Sequence, residues 1–390
     1  MTPRDQHLFS PGPKRILSLD GGGIRGIVSL AFLERLEALL RARTGDPALC
    51  LADYFDLIGG TSTGAIIAAG LALGHPVAHL VEVYLTLARE GFQRRWWLGG
   101  TLVPKFRAAA LEAAIRAHVG DETLGSDKLR TGLAIVAKRL DTGSVWVFHN
   151  NPRGPFFAST DGSGTAVPNR DLPLGNLIRA STAAPSYFEP ELIEVAPGVT
   201  GAFIDGGLSP HLNPALQMLM LATLEGYGFR WPMGVERLLL VSVGTGGGGP
   251  FAEARAIARL PAAWLAVSAL RSMMSDSNWL TQTLLQWLGQ SPTLWPIDAE
   301  IGALAGDCLG PQKLLHYLRY DAILEADWLK AEVGMDVAED ELSALQAMDR
   351  PALAPRLLEI GRRVAAARLH LEHFPAVFDR VKAGVEAGVA

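Results

Sequence analysis

Twice before residue 75 an apolar run stops at a glycine-rich turn and gives way to a helical pattern. This repeated strand, turn and helix constrains the fold more than any other feature of the chain. In the first unit Arg15 to Leu19 (RILSL) is a short apolar run. Asp20 and three glycines follow, and Ile27 to Arg43 then carries apolar residues at helical spacing. In the second unit Tyr54 to Ile58 reads as a strand, Gly59 to Gly64 as a turn and Ala65 to Leu73 as a largely buried helix. Two such units in succession imply parallel strands joined by helical crossovers. The expected fold is therefore α/β, a three-layer α/β/α sandwich on a mainly parallel sheet. Further strand candidates are Gly132 to Ala137, Val145 to Phe148, Ala202 to Ile204 and Arg237 to Val243, the last ending at Gly244 to Gly249.

From Phe251 onward Ala, Leu, Glu and Arg recur at helical spacing, as in Leu357 to Ala367 (LLEIGRRVAAA), and strands are expected to be absent there. The organisation expected is a flexible tail over residues 1–13, an α/β core over 14–250, and helices over 251–390 packed on that core. Pro, Gly, Asn and Asp cluster from Asn150 to Arg170, marking a long surface loop.

Hydrophobic residues make up 49% of the 390 and charged residues 19%, enough apolar material for a buried core and too little charge for disorder. The net charge is −5 and no cluster of Lys or Arg stands out, so a nucleic-acid polymer is not an expected partner. Cys50 and Cys308 are far apart without metal-ligand spacing, which argues against a disulfide framework or zinc site and fits a cytoplasmic compartment. The longest apolar run, Ala65 to Leu73, is far shorter than the roughly 20 residues that span a bilayer. Contact with a membrane, on its inner face, is expected to be peripheral.

Gly60-Thr61-Ser62-Thr63-Gly64 is a G-x-S-x-G between an expected strand and an expected helix, the context of a nucleophile elbow. Asp20-Gly21-Gly22-Gly23-Ile24-Arg25-Gly26 follows the first strand and also fits G-x-G-x-x-G at Gly21, Gly23 and Gly26. A dinucleotide site needs an acidic residue about 20 positions on, closing a second strand. Leu39 to Arg43 still reads as helix, which weakens that use of the loop. The other use is an oxyanion hole, because unhindered backbone N–H groups can point at a tetrahedral oxyanion. Asp205-Gly206-Gly207 follows the Ala202 to Ile204 run and is by itself an ordinary turn sequence. Of the histidines, His75, His118, His149 and His211 are the triad candidates. None has a distinctive context, and His75 and His149 read as surface residues.

Together these segments resemble the patatin-like phospholipases, whose pattern joins D-G-G-G-x-R-G, G-x-S-x-G and a later D-G-[GA]. The resemblance extends to Ala180-Ser181-Thr182-Ala183-Ala184-Pro185 with Tyr187 and Phe188, to Asn213-Pro214 and to Val243-Gly244-Thr245-Gly246, and covers roughly Lys14 to Gly249. It implies a lipid acyl hydrolase with a catalytic dyad of Ser62 and Asp205 and no histidine. It also implies an oxyanion hole at Gly22 and Gly23, supported by Gly21, Arg25, Gly60 and Gly64. Arg25 would support the oxyanion site or a lipid phosphate, or brace the loop through a salt bridge. The substrate implied is a phospholipid or related lipid ester, with no metal and no cofactor. Some bacterial relatives are phospholipase effectors switched on by cyclic nucleotides in antiphage defence, an alternative for this chain; a nucleotide-binding protein using the glycine loop is a further one. Trp96 and Trp97, within Phe92 to Phe106, and Trp264, Trp279, Trp287 and Trp295 are either core or an acyl-chain rim.

Overall fold

Along each central strand, successive residues enter opposite apolar clusters. Leu17 and Leu19 join one cluster and Ile16 the other; Ile58 and Leu57 divide likewise, as do Leu133 and Ile135 against Ala134 and Val136. Strands buried on both faces belong in the middle layer of three. The computed structural model describes residues 1–90, 108–158, 166–185, 187–248 and 254–380. Its elements begin with α1 (Pro3–Phe9), β1 (Lys14–Leu19), α2 (Gly26–Thr44), α3 (Leu51–Tyr54), β2 (Leu57–Thr61), α4 (Thr63–Ala72), α5 (Val77–Glu90) and α6 (Ala108–Val119). They continue through β3 (Gly132–Arg139), β4 (Ser144–His149), α7 (Leu174–Thr182), β5 (Glu191–Ala196), β6 (Val199–Asp205), α8 (Ala215–Thr223) and β7 (Leu238–Val243). The remainder is α9 (Ala254–Ile257), α10 (Ala262–Leu288), β8 (Gly289–Gln290), β9 (Leu315–Tyr320), α11 (Ala326–Val333), α12 (Glu339–Leu345) and α13 (Ala354–Arg368).

The strands form one sheet in the order β5-β6-β3-β2-β1-β7-β9-β8, with β4 also paired to β3. From β3 through β8 every pairing along that path is parallel, while β4, β5 and β6 are antiparallel additions at one end. Helices α2, α4, α5, α7 and α13 contribute to the cluster on one face, and α1 and α8 to the cluster on the other. The mixed α/β fold with a mostly parallel central sheet is the one the repeated units imply.

Three expectations fail. Strands do not end before residue 250, because β9 adds to β7 in parallel from Leu239 and His316 onward, so the sheet crosses the boundary placed there. That strand, Leu315-His316-Tyr317-Leu318-Arg319-Tyr320, hides a buried His and a buried Arg in what should be an apolar run. The edge strand β5 was likewise passed over.

The amino-terminal segment is not a flexible tail either. Thr2 caps α1 by accepting the Asp5 N–H at 3.2 Å, and Leu8 is buried, which is worth about 1.5–3 kcal/mol for a side chain of its size. The Leu8 carbonyl accepts from Trp231 Nε1 at 3.0 Å, and Lys14 Nζ donates to the His7 carbonyl at 2.6 Å. The third failure is local: Tyr54 ends a helical turn, and the second strand starts only at Leu57.

Asp56 ties this amino-terminal helix to the sheet. Its carboxylate meets His7 Nδ1 at 3.0 Å and accepts from Arg15 Nε at 2.9 Å and from the Arg15 backbone N–H at 2.9 Å. Burial alone would raise this carboxyl; the hydrogen bonds and the Arg15 charge outweigh it and hold it at about 2. A depressed carboxylate stabilises the fold above its ordinary titration range and loses that contribution as pH falls towards 2. Asp56→Ala leaves the Arg15 charge buried and unpaired, and is expected to cost roughly 3–5 kcal/mol in denaturant unfolding at neutral pH. A loss under 1 kcal/mol would show that the ion pair does not anchor α1.

Candidate active site

The register around β3 places the site. Strand β4 pairs with β3 from Ala134 to Arg139 and so occupies one edge of it. The opposite edge is shared. Strand β2 lies beside Gly132 to Val136 and stops at Thr61, after which antiparallel β6 takes over, its last residue Asp205 opposite Ala137. The ends of β2 and β6 thus meet head to head, and Ser62 arrives beside Asp205.

Ser62 caps α4 at the strand-to-helix turn, with φ 56° and ψ −124°. A positive φ is unusual for a non-glycine residue and stores on the order of 1–3 kcal/mol of strain, which the surrounding contacts must hold. The flanking glycines make the turn possible. A Cβ on Gly60 would lie 2.2 Å from the Gly64 carbonyl carbon, and one on Gly64 would lie 2.3 Å from the Leu19 carbonyl oxygen. The Ser62 backbone N–H is held by Ser181 Oγ at 2.8 Å, which itself donates to the Val136 carbonyl at 2.6 Å. Ser181 is therefore a positioning residue. In sequence its segment carries the family resemblance but no role.

Ser62 Oγ donates to Asp205 Oδ2 at 2.6 Å, and Asp205 Oδ1 accepts the Gly207 N–H at 2.7 Å. Both side chains are buried. Burial pushes the Asp205 carboxyl up, and the bonds from Ser62 and Gly207 hold it at about 6. Charged and partly desolvated at neutral pH, it is a far stronger base than an exposed aspartate. None of the nine histidines forms a hydrogen bond to Ser62 Oγ or to the Asp205 carboxylate among the described residues. His149 is buried and His75 half-buried, so neither is the surface residue expected. Burial lowers both rings, His149 to about 4.

The glycine loop lies against the elbow: a Cβ on Gly21 would stand 3.2 Å from the Ser62 Cβ. Gly21 gives its N–H to the Leu212 carbonyl at 2.9 Å and Ile24 gives its own to the Met348 carbonyl at 3.0 Å. Between them, the N–H groups of Gly22 and Gly23 have no acceptor among the described residues. Gly23 has φ +59°, and its carbonyl accepts from the Tyr84 hydroxyl. Space at Gly22 is filled by Thr245, whose Oγ1 would lie 2.1 Å from a Cβ there. Arg25 is buried with its Nε unpartnered among the described residues, and Asp321 is the charge that acts on it.

A second buried network anchors the loop from the far side. Arg319 on β9 pairs with Asp20 at 2.7 Å and with Asp321 at 2.6 Å, and donates to Ser242 Oγ at 2.7 Å. Burial would lower its guanidinium, but the two carboxylates more than reverse that. Asp321 also accepts the Gly246 N–H at 2.9 Å. Asp20 and Arg319 are 299 residues apart, and nothing near Arg319 in the sequence resembles a site motif.

The dinucleotide use of the loop finds no support, since α2 continues to Thr44 where a second strand would have to close. Trp96 and Trp97 lie outside the described residues. Trp295 is buried and stacks on Trp328 at 6.1 Å, in keeping with a core role, Trp287 is half-buried, and Trp264 and Trp279 are exposed.

A serine raised on a strand-to-helix elbow between two glycines recurs in one broad class of α/β proteins. Within it, the chain belongs to the patatin-like phospholipase family, whose sequence model matches residues 17–219 and takes in Ser62, Asp205 and the whole glycine loop. A cGAMP-activated phospholipase of Escherichia coli (strain TW11681) is 34% identical over 205 residues, covering 52% of this chain and 53% of that protein. A protein of Arabidopsis thaliana named probable inactive patatin-like protein 9 is 30% identical over 256 residues, 62% of each. The chain thus spans between about half and two thirds of the length of these curated relatives. A human GIVD cytosolic phospholipase A2 structure superposes with a TM-score of 0.41 at 11% identity, over 95% of this chain and 61% of that one, too loosely to bear on the assignment.

Proposed function

We propose that this protein is a lipid acyl hydrolase that cleaves fatty-acyl esters through Ser62 and Asp205. The observation that carries the reading is the 2.6 Å bond from Ser62 Oγ to a buried carboxylate with no histidine between them. Asp205 takes the hydroxyl proton as Oγ attacks the acyl carbonyl, and the free N–H groups of Gly22 and Gly23 receive the oxyanion. Collapse breaks the ester bond. The alcohol leaves with the proton from Asp205, and the acyl group stays on Ser62. Water then gives a proton to Asp205 and attacks the acyl-enzyme, releasing the fatty acid and restoring the serine. Ser181 and the Arg319 network keep the elbow and loop in register.

The test is incubation with defined phospholipids, lysophospholipids and p-nitrophenyl butyrate, with products read by mass spectrometry. Release of free fatty acid from a phospholipid is the expected result; no ester cleavage with any of the three, with or without cGAMP, would refute it. A cyclic-nucleotide-dependent form of the same activity is a second reading, favoured by the likeness to the cGAMP-activated protein. Adding cGAMP to the same assay separates the two.

The base must be deprotonated, so its raised position sets the acid limb of the rate. With Asp205 near 6, kcat/KM for p-nitrophenyl butyrate is expected to fall about tenfold per pH unit below pH 6 and to level off above it. A limb near pH 4 would mean that Asp205 is solvated like an ordinary aspartate.

A further inference from the structure

Helix α10 is seated on the protein along only part of its length. Thr281, Gln282, Leu285 and Gln286 are buried, and Asn278 bonds Asn213 at 2.9 Å. Moving towards its amino end, the helix passes the active site: Met274 Cε would be 3.7 Å from a Cβ on Gly207, two residues after Asp205. Beyond Met274 it leaves the body. Trp264, Leu265, Val267, Leu270 and Met273 are between 43% and 64% exposed. At 100° per residue these five point in all directions around the axis, including the side that is buried further along. A helix that is apolar all round normally lies in a protein core or in lipid. A second copy of the chain would cover one stripe and leave the others in water.

We propose that this projecting part of α10 is the element by which the enzyme enters an anionic lipid surface. It would lie along the headgroup boundary, its side chains among the acyl chains on either side and Trp264 at the interface, where its amphipathic ring is favoured. Charge supports lipid as the occupant. From Ala254 to Ser275 the chain carries Arg255, Arg259 and Arg271 and no Asp or Glu, within a protein of net charge −5. Arg255 and Arg259 are exposed, in position for lipid phosphates. No helix among the described residues is long and apolar enough to cross a membrane, so the contact is with one leaflet. Because Met274 adjoins the turn after Asp205, docking would bring the site to the surface from which a substrate molecule is drawn.

The inference rests on the lipid-hydrolase reading, yet its test does not need turnover. The full chain carrying Ser62→Ala, which leaves the lipid intact, is floated with vesicles of phosphatidylcholine alone or mixed equally with phosphatidylglycerol. Co-flotation with the mixed vesicles is expected. Leu265→Asp with Met273→Asp should reduce it at least tenfold, and Arg255→Glu with Arg259→Glu should reduce it on the anionic vesicles only. The single variant Trp264→Asp carries the test if the first pair does not fold. In the background with Ser62 intact, the same changes should leave p-nitrophenyl butyrate hydrolysis and melting temperature unchanged and lower hydrolysis of vesicle phospholipid. Absence of vesicle binding by the parent, binding unaffected by the α10 changes, or a dimer that these changes convert to monomer would each overturn the proposal. Loss of all ester hydrolysis with vesicle binding intact would instead point to failure of the hydrolase reading.

Discussion

Ser62→Ala is expected to lower turnover of both phospholipid and p-nitrophenyl butyrate by roughly 10⁴- to 10⁶-fold. On the proposed mechanism the substitution removes the atom that forms the acyl-enzyme. Ser181, whose hydroxyl bonds the elbow, is committed to the Ser62 N–H and the Val136 carbonyl, and Thr61 Oγ1 to the His211 carbonyl. The oxyanion donors and the binding surface survive, so a small residual rate over water should persist. The fold should persist too, because β2, α4 and the close approach of Gly60 to Gly64 do not depend on the hydroxyl. The check is turnover by product mass spectrometry beside thermal melting. Turnover within tenfold of the unchanged protein at an unchanged melting temperature would mean that another residue is the nucleophile.

Asp205→Asn is expected to cost about 10³- to 10⁴-fold, close to the serine change, since members of a unit that acts together are not additive. The amide can still receive the Gly207 N–H and stay close to Ser62 Oγ, but it cannot take the proton. Each histidine replaced by alanine should retain most of the activity, because no imidazole bonds Ser62 or Asp205 among the described residues. His211 is the informative one. Its carbonyl accepts from Thr61 Oγ1 at 2.6 Å while its own Nδ1 is buried without a partner among the described residues. If His211→Ala, folded by circular dichroism, fell to the level of Ser62→Ala, a base would have to be added to the mechanism.

The parts of this arrangement that could be read from sequence are those in which one contiguous segment carries its own reason. Gly60 and Gly64 are small because the elbow closes on itself, and Ser62 between them stands out at once. The Asp20 to Gly26 loop is legible in the same way, because its turn needs Gly23 at positive φ and its approach to Thr245 needs Gly22. Asp205 is less distinctive. It lies 143 positions beyond Ser62, nothing on the way signals that β6 will succeed β2 along one edge of β3, and only a family resemblance singles it out.

What remained hidden depends on groups whose character is reversed by tertiary contacts. Arg319 looks like a surface residue, and it becomes the most enclosed cation of the described structure only because Asp20 and Asp321 neutralise it. With Arg319 and His316 in it, β9 loses the apolar pattern that identifies a buried parallel strand. Residues Pro3 to Phe9 look like a polar tail for a similar reason: Arg4 and His7 are buried there beside Leu8, with His7 bonded to Asp56. In α10 the error runs the other way. Trp264, Leu265, Leu270, Trp279 and Leu280 suggest core, and the structure leaves them exposed.

The most direct test of the central claim is covalent capture. The protein is treated with a fluorophosphonate carrying a long alkyl chain, digested, and the phosphonylated peptide sequenced by mass spectrometry. The account predicts a single adduct on Ser62, formed more slowly when phospholipid is present and slowed by orders of magnitude in Asp205→Asn. An adduct on any other residue, or labelling of Ser62 at an unchanged rate without Asp205, would contradict it.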